Sequence, residues 1–292
     1  MATKQKSNYK YLRDKWIGKH KELQKNLWDK HKDIVDWVSD NSKQLALGSV
    51  SGLMLLTPTV TKTIPNQAIF ASQQEFAKVI DKSVFLISDL FHVLPSKVRE
   101  LTPSEEDVIT QTLTRHFGFR VTPELQGIRL NRSYGYIGAE QHLTRYSGDT
   151  MSTHFDNQTD AQKFFSSGMA PGLGAWGYFS SNGQLTEKDI LREKYYIAVQ
   201  TFLAPGFNEH VKEYVDFFKY KKMLVVNPNN GRVVVAIIGD AGPADWTGKH
   251  LGGSPEVMSY LERFDGAQKG PVLYFFIDDP EDKIPLGPIN VR

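Results

Sequence analysis

Asp240 is the residue whose sequence context best suits a chemical role. It follows seven apolar or glycine residues, 233–239, and is followed closely by Gly242 and Pro243. This pattern predicts a buried strand that brings the carboxyl group to the edge of a sheet, with apolar walls beside it. Burial would raise the carboxyl pKa from about 3.9 toward neutral pH, as a general acid requires. The alternative is a structural role in which Asp240 caps the turn by accepting a backbone amide.

Aromatic and polar side chains on both sides of this segment could bind a sugar. Trp176, Tyr178 and Trp246 could offer flat faces to pyranose rings, although large aromatic side chains more often belong to protein cores. Trp246 is the best candidate for an exposed ring because polar residues and a glycine surround it. The loop that carries it also holds cationic side chains, which could meet an anionic group or merely face solvent. The candidate binding residues in this loop are Asp245, Trp246, Lys249 and His250.

Metal and nucleotide sites are not predicted. The chain has no cysteine, which excludes thiolate ligands, disulfides and cysteine nucleophiles. His142 and His154 invite a metal interpretation, but no carboxylate or third histidine stands at a ligand spacing from them. The glycine-rich stretches do not complete a phosphate-binding motif. We therefore expect no cofactor and no metal.

Short strands in the C-terminal half must position these residues. They are rich in β-branched and aromatic residues and are separated by Gly, Pro and Asn turns. An Asn-Gly pair at Asn230 and Gly231 favours the positive φ of a hairpin turn. The predicted elements are strands over residues 194–202, 223–226, 233–238 and 271–277, and a short helix opened by Ser254, Pro255 and Glu256.

Residues 222–261 (KMLVVNPNNGRVVVAIIGDAGPADWTGKHLGGSPEVMSYL) resemble the double-psi β-barrel of the rare lipoprotein A family of septal peptidoglycan lytic transglycosylases. That family has a hairpin of the form V-x-V-T-N-x-x-N-G-x-x-V-x-V-x-V-x-D-R-G-P, which leads through a glycine-containing loop to a short helix. Residues 174–178 (GAWGY) are similar to the family's first strand, A-S-W-Y-G, and residues 181–184 (SNGQ) lie where it has T-A-N-G-E. The resemblance covers a little over a third of the chain.

The resemblance implies a closed six-stranded double-psi barrel over residues 169–278 that cleaves peptidoglycan glycan strands. Asp240 would protonate the glycosidic oxygen and then take the proton of the muramic acid 6-hydroxyl, so that an anhydro ring closes without water. Gln184 and Gln200 stand where the family has a glutamate and a histidine, and Ala241 stands where it has an arginine.

These departures leave two functions open. Neither glutamine titrates, so the chain is either an enzyme that relies on a lone aspartate, as in the related membrane-bound lytic transglycosylase A family, or a barrel that binds the cell wall without cutting it. Glu187, Glu193 and Asp245 are acids that could replace the missing glutamate if the fold brings one of them close to Asp240.

The first 43 residues predict a basic amphipathic helix. They hold eleven Lys or Arg and six acidic residues, and their apolar residues recur with an eleven-residue period that forms one stripe along a helix. The stripe would dock on a partner or on a second copy of the chain, or would lie on anionic lipid.

Residues 44–64 predict a membrane anchor. Positions 44–61 carry no charge, and residues 45–61 just reach the length of a short span. The basic residues before this segment place the N-terminus in the cytoplasm and the barrel outside the cell membrane, which the chain would cross once. The alternative is a helix buried inside a soluble cytosolic interaction protein.

The whole sequence predicts an α+β fold in which N-terminal helices, one of them transmembrane, precede the barrel. Residues 65–168 form a helical and irregular connecting region, with helices over residues 72–94 and from Thr102 onward. Residues 279–292 form a polar tail. The net charge of +2, from 35 basic and 33 acidic residues, argues against nucleic acid as a partner. The expected partners are glycan strands and a membrane.

Overall fold

The computed structural model describes residues 82–181, 183–263 and 270–292. Its helices and strands are short. The helices are α1 (residues 82–91), α2 (Pro103–Phe117), α3 (Gln158–Phe164), α4 (Glu187–Lys194), α5 (Val211–Phe218) and α6 (Pro255–Tyr260). The strands are β1 (Val121–Thr122), β2 (Glu124–Leu125), β3 (Ile128–Arg129), β4 (Tyr134–Ala139), β5 (Tyr196–Val199), β6 (Lys222–Val226), β7 (Val233–Ala241), β8 (Leu251–Gly253), β9 (Gly270–Ile277) and β10 (Gly287–Ile289).

Strands β4 to β9 close into a six-stranded barrel of mixed strand direction. β4 runs parallel to β8, and β5 runs parallel to β7. The remaining neighbours, β8 with β5, β7 with β6, β6 with β9 and β9 with β4, are antiparallel. Each barrel strand therefore has a partner on both sides, which removes the exposed edges of an open sheet.

The hairpin of β6 and β7 confirms the prediction made from the Asn-Gly pair. Val226 pairs with Val233 next to the turn, and the register continues to Lys222 and Ile237. Gly231 has a φ of 69°, a left-handed conformation that glycine adopts without steric cost. Among the nine residues of β7, the first seven are buried, which explains why this strand is a continuous apolar run.

Apolar clusters cover both faces of β7. Val234, Ala236 and Ile238 belong to one cluster, whereas Val233 and Val235 belong to another. This alternation follows from the two-residue period of a strand. The first cluster includes residues of α5 and α6, and the second includes Leu86, Leu90, Ile109 and Leu113 of α1 and α2.

Helix α2 begins and ends as its sequence predicts. The Thr102 hydroxyl accepts a hydrogen bond from the Glu105 amide at 3.3 Å, and the Glu105 carboxylate accepts one from the Thr102 amide at 2.8 Å. Pro103 occupies the first turn, and Gly118 ends the helix with a φ of 74°. Helix α6 starts where the sequence predicts a helix, and the Ser254 hydroxyl accepts a hydrogen bond from the Val257 amide at 3.2 Å.

The barrel begins earlier in the chain than predicted. β4 is a barrel strand, although it lies within residues 65–168, which we predicted to be a connecting region. Its two glycines are strand residues rather than turn residues: a Cβ on Gly135 would lie 2.8 Å from the His250 Cβ, and one on Gly138 would lie 2.2 Å from the Lys249 Cδ. Close approach of these side chains therefore requires glycine in β4.

Residues 174–178 and residues 279–292 also differ from the predictions. Residues 174–178 form a loop and not the first barrel strand, and Gly177 in this loop has a φ of 76°, which does not fit a strand. The tail, residues 279–292, is not only a polar surface segment. It contains β10, which pairs with β7 from Gly287 and Val235 to Ile289 and Val233.

The predicted arm, residues 1–43, and the predicted anchor, residues 44–64, lie outside the described residues. The predicted helix over residues 72–94 is described from residue 82, and residues 82–91 are helical. Within the part of the chain that the structure describes, no helix has the length and apolar character needed to cross a membrane.

Candidate functional site

Asp240 lies at the end of β7, opposite Ala198 of β5, where the register of this strand pair shifts. Its side chain is half-buried. Oδ1 accepts two hydrogen bonds, from the backbone N–H of Ala175 at 2.6 Å and from that of Ala241 at 2.8 Å. Among the described residues, Oδ2 has no hydrogen-bond partner. The carboxyl group therefore has one oxygen held by the backbone and one that is not held.

Burial raises the pKa of the Asp240 carboxyl above its ordinary value, while the hydrogen bonds from Ala175 and Ala241 act in the opposite direction. The predicted direction of the shift is confirmed. Gly174 lies beside this group: a Cβ there would be in ordinary van der Waals contact with the Asp240 Cγ at 3.6 Å and with the Gly239 carbonyl oxygen at 3.5 Å. The amide of Ala241 also makes Asp240 a cap for its own turn, so both predicted roles fit the geometry.

The acids that could replace the missing glutamate make no hydrogen bond or ion pair with Asp240. Glu187 is exposed at the start of α4, and Asp245 is exposed in a single 3₁₀ turn after β7. Glu193 is buried, with 2% of its surface exposed, but it binds two histidines instead. The fold therefore supplies no paired carboxylate from this set.

The two glutamines at the family's ionisable positions have different environments. Gln184 is exposed and forms an isolated bridge with Ser181. Gln200 is buried, and its Nε2 donates to the backbone oxygens of Pro243 at 3.1 Å and Lys249 at 3.4 Å. Gln200 thus fastens the loop that follows β7 to the end of β5.

The three aromatic candidates divide into one anchored ring and two accessible ones. Trp176 is half-buried, packs against the core, and donates from Nε1 to the Ile238 oxygen at 3.1 Å. Tyr178 is 39% exposed. Trp246 is 90% exposed, which confirms the expectation that its polar surroundings leave the ring accessible. Of the three rings, that of Trp246 is the most exposed and the best suited to stacking.

Lys249 and His250 connect the loop after β7 to β4. The Lys249 ammonium lies 2.8 Å from the Glu140 Oε1 and 3.2 Å from the Ala139 oxygen. The His250 ring stacks on Tyr136 with centroids 5.9 Å apart, and its Nδ1 accepts the Tyr136 amide at 3.0 Å. Both side chains thus have partners within the fold.

A second group of titratable side chains is buried beside the barrel. Glu193 lies between two histidines: its Oε1 is 3.3 Å from Nδ1 of His142, and its Oε2 is 3.1 Å from Nε2 of His154. Nδ1 of His154 lies 3.0 Å from Oδ2 of Asp149, which also accepts from Nε of Arg145 at 3.1 Å. We call these five residues the histidine–carboxylate cluster: His142, Arg145, Asp149, His154 and Glu193.

The charges within this cluster are paired. Burial lowers the pKa of His154, but hydrogen bonds to Asp149 and Glu193 outweigh it and raise that pKa to about 9. Burial raises the pKa of Asp149, yet the hydrogen bonds from His154 and Arg145 bring it down to about 2. These shifts favour the charged forms of His154, Asp149 and Glu193.

Sequence reasoning missed this cluster because its members come from separate segments. His142 and His154 lie in the segment between β4 and α3, whereas Glu193 lies on α4. One local signal was available: Asp189 and Glu193, four residues apart on α4, form a buried face of charged rather than apolar residues. His142, His154 and Glu193 each offer one possible metal-ligand atom, and these atoms all lie within 4.8 Å of one another.

A cavity of about 680 Å³ lies elsewhere, between α4, the start of β6 and the C-terminal segment. Some of its charged side chains form ion pairs with each other, as Lys222 and Asp279 do at 2.6 Å. Asp240 does not line it.

No protein-family profile matches the chain, and no curated protein matches its sequence.

Proposed function

We propose that the chain is a lytic transglycosylase of the double-psi barrel type, in which Asp240 acts as general acid and then as general base on a peptidoglycan glycan strand. The proposal is carried by the state of this carboxyl group. It is half-buried, burial raises its pKa, and among the described residues hydrogen bonds hold only one of its oxygens. A raised pKa and an unheld oxygen are what a carboxylic acid needs to donate a proton near neutral pH.

The two oxygens would have separate tasks. Oδ1 accepts from Ala175 and Ala241, so the proton is carried on Oδ2. The acid donates this proton to the glycosidic oxygen, and the bond from that oxygen to the muramic acid C1 breaks. The 6-hydroxyl of the same sugar then attacks C1 while Asp240 takes the hydroxyl proton, which closes the anhydro ring and restores the acid. The two amides stabilise the carboxylate between these steps.

Trp246 and Tyr178 would bind the strand beside the reacting bond. Trp246 is 90% exposed and Tyr178 is 39% exposed, so each can place part of its ring against a pyranose face. The 3₁₀ turn of Trp246 begins at Asp245, shortly after β7 ends at Ala241.

The proposal includes a cellular location. Residues 44–64 would anchor the chain once in the cell membrane, with the N-terminus in the cytoplasm and the barrel facing the cell wall. The amphipathic arm, residues 1–43, would then be available for self-association.

The test is product analysis with the full-length chain in detergent and purified peptidoglycan sacculi. Mass spectrometry of the released fragments should find anhydro-ended products from the wild type. Asp240→Asn should lower their yield by about 10²-fold or more, because removing a general acid costs that much or more. Asp107→Asn, which changes an exposed carboxylate on α2 with no role in the proposed site, is the matched control and should retain full yield. The proposal fails if the wild type gives no anhydro ends or if Asp240→Asn keeps its yield.

A second candidate function is a non-catalytic glycan-binding module. It is favoured by one observation: among the described residues, no ionisable side chain forms a hydrogen bond or ion pair with Asp240. Co-sedimentation with the same sacculi separates the two functions. Equal binding of wild type and Asp240→Asn, with no anhydro products from either, would establish the module.

A further inference from the structure

We propose that His142, His154 and Glu193 form a binding site for a divalent transition-metal ion of the zinc type. Two histidines from the segment after β4 meet a carboxylate from α4, and one ligand atom from each lies within 4.8 Å of the others. Two imidazoles and one carboxylate are a donor set that zinc takes up in proteins, with a water molecule as fourth ligand. This site is separate from Asp240 and does not depend on glycan cleavage.

The spacing of the ligand atoms suits a tetrahedral ion. Zinc lies about 2.0–2.1 Å from nitrogen and oxygen ligands, which places neighbouring ligand atoms roughly 3.3 Å apart. Glu193 Oε2 lies 3.1 Å from Nε2 of His154, and Glu193 Oε1 lies 3.3 Å from Nδ1 of His142. The His142 and His154 rings are neighbours, with centroids 4.6 Å apart. One ligand atom from each of the three residues lies within 4.8 Å of the others.

Asp149 orients one of these ligands. It accepts from Nδ1 of His154, and Arg145 holds it in place through Nε at 3.1 Å and through the backbone amide at 2.9 Å. A carboxylate on the far nitrogen of a histidine fixes the tautomer that presents the near nitrogen to a metal. Nε2 of His154 faces Glu193 and is thus the ligand atom, which would release its proton on binding the metal.

The second observation is an unsatisfied buried nitrogen. The His142 side chain is fully buried, and its Nε2 has no hydrogen-bond partner among the described residues. A buried imidazole normally has partners on both nitrogens, so this histidine lacks one that its site should supply. Nδ1 of the same ring faces Glu193 Oε1 at 3.3 Å, so one ring nitrogen has a carboxylate partner and the other has none among the described residues.

An ion here would fasten the segment of His142 and His154 to α4. Leu143, the neighbour of His142, donates its amide to Glu193 at 3.0 Å, and its side chain lies 3.2 Å from where a Cβ of Gly174 would be. Gly174 in turn adjoins Asp240. The ions that fit are Zn²⁺ and, as a spectroscopic probe, Co²⁺, because the ligands are nitrogen and oxygen in a closed site.

The experiment is a titration of the chelator-treated, full-length chain with Co²⁺ and Zn²⁺. We expect one Co²⁺ per chain with the visible absorption of a tetrahedral nitrogen–oxygen site, displacement of Co²⁺ by Zn²⁺, and a higher Tm with either metal. His142→Gln and His154→Gln should abolish the absorption. Asp149→Asn, which keeps all three ligands, should weaken binding 10- to 100-fold.

His210→Gln is the matched control, because His210 is an exposed histidine at the N-terminus of α5. It should leave the stoichiometry, absorption and Tm shift unchanged. The proposal is overturned if the folded wild type gives no tetrahedral Co²⁺ absorption, or if His210→Gln removes it. Because this readout uses the wild type and needs no activity, it holds even if a ligand variant fails to fold.

Discussion

Asp240 and Glu193 are two carboxylates whose pKa values burial acts to raise, yet the resulting shifts have opposite directions. Burial raises the pKa of Asp240, and the two backbone amides only partly offset this effect. Burial also acts to raise the pKa of Glu193, which is the more deeply buried, yet hydrogen bonds from His142 and His154 outweigh it and the pKa is lowered. The comparison shows that partners, more than depth, determine whether a buried acid stays ionised here.

The two carboxylates have a common neighbour. Tyr196 is 1% exposed, and burial raises the pKa of its hydroxyl well above the ordinary value, with the negative charges of Glu193 and Asp240 among the additional causes. Its hydroxyl donates to the backbone oxygen of Gln141. Tyr196 packs with Leu143, Phe179 and Ile237 in a small apolar cluster. Asp240 and Glu193 therefore differ in the hydrogen bonds that each carboxylate accepts.

The largest effect on stability should come from removing the charge of Glu193. Glu193→Gln leaves the amide of Leu143 with an acceptor but deprives protonated His154 of one of its two carboxylates. Breaking a buried charge pair by removing one partner costs about 3–5 kcal/mol of unfolding free energy. Denaturant unfolding of the metal-free chain at pH 7 measures it. Glu187→Gln, exposed on the same helix, should change stability by less than about 0.5 kcal/mol. If Glu193→Gln loses less than about 1 kcal/mol of unfolding free energy, the hydrogen bonds between Glu193 and the histidines do not stabilise the fold as expected.

Glu256 is a third buried carboxylate, and its pKa predicts a stability that depends on pH. Burial raises the pKa of Glu256 to about 7, and its Oε2 has no partner among the described residues. A carboxyl group whose folded pKa exceeds its unfolded value near 4.5 stabilises the fold below pH 4.5, and this contribution is lost as pH rises through 7. The difference amounts to about 3 kcal/mol.

Glu256→Gln should therefore gain stability relative to the wild type as pH rises from 4.5 to 8, by an amount on the order of 3 kcal/mol. Unfolding free energies of both chains at several pH values give the difference directly, with Glu187→Gln as the exposed control. A difference that stays constant across this range would contradict the raised pKa of Glu256.

Much of the barrel follows from local sequence. The Asn-Gly hairpin, the apolar run of β9 and the capped helix α2 each depend on neighbouring residues, and each was predicted. The raised pKa of Asp240 was predictable for the same reason, because it follows from the burial of β7.

The rest depends on contacts between distant segments. The glycines of β4 favour turns when they are considered alone, and only the approach of Lys249 and His250 makes them suitable for a strand. The histidine–carboxylate cluster joins residues near position 150 to Glu193, and nothing in the spacing of His142 and His154 indicates where their acid comes from. Register and pairing across the fold, rather than local pattern, decide both features.

The smallest effect on stability should come from the residue with the largest proposed role. Asparagine at position 240 can still accept from Ala175 and Ala241 through its amide oxygen, and it removes a carboxyl group whose ionisation burial disfavours. Asp240→Asn should therefore change the unfolding free energy at pH 7 by less than about 1 kcal/mol, in either direction. The same denaturant measurement as for Glu193→Gln tests this, with Asp245→Asn as control. A loss of about 2 kcal/mol or more would identify Asp240 as a cap that the turn needs ionised, and the contrast with Glu193 would disappear.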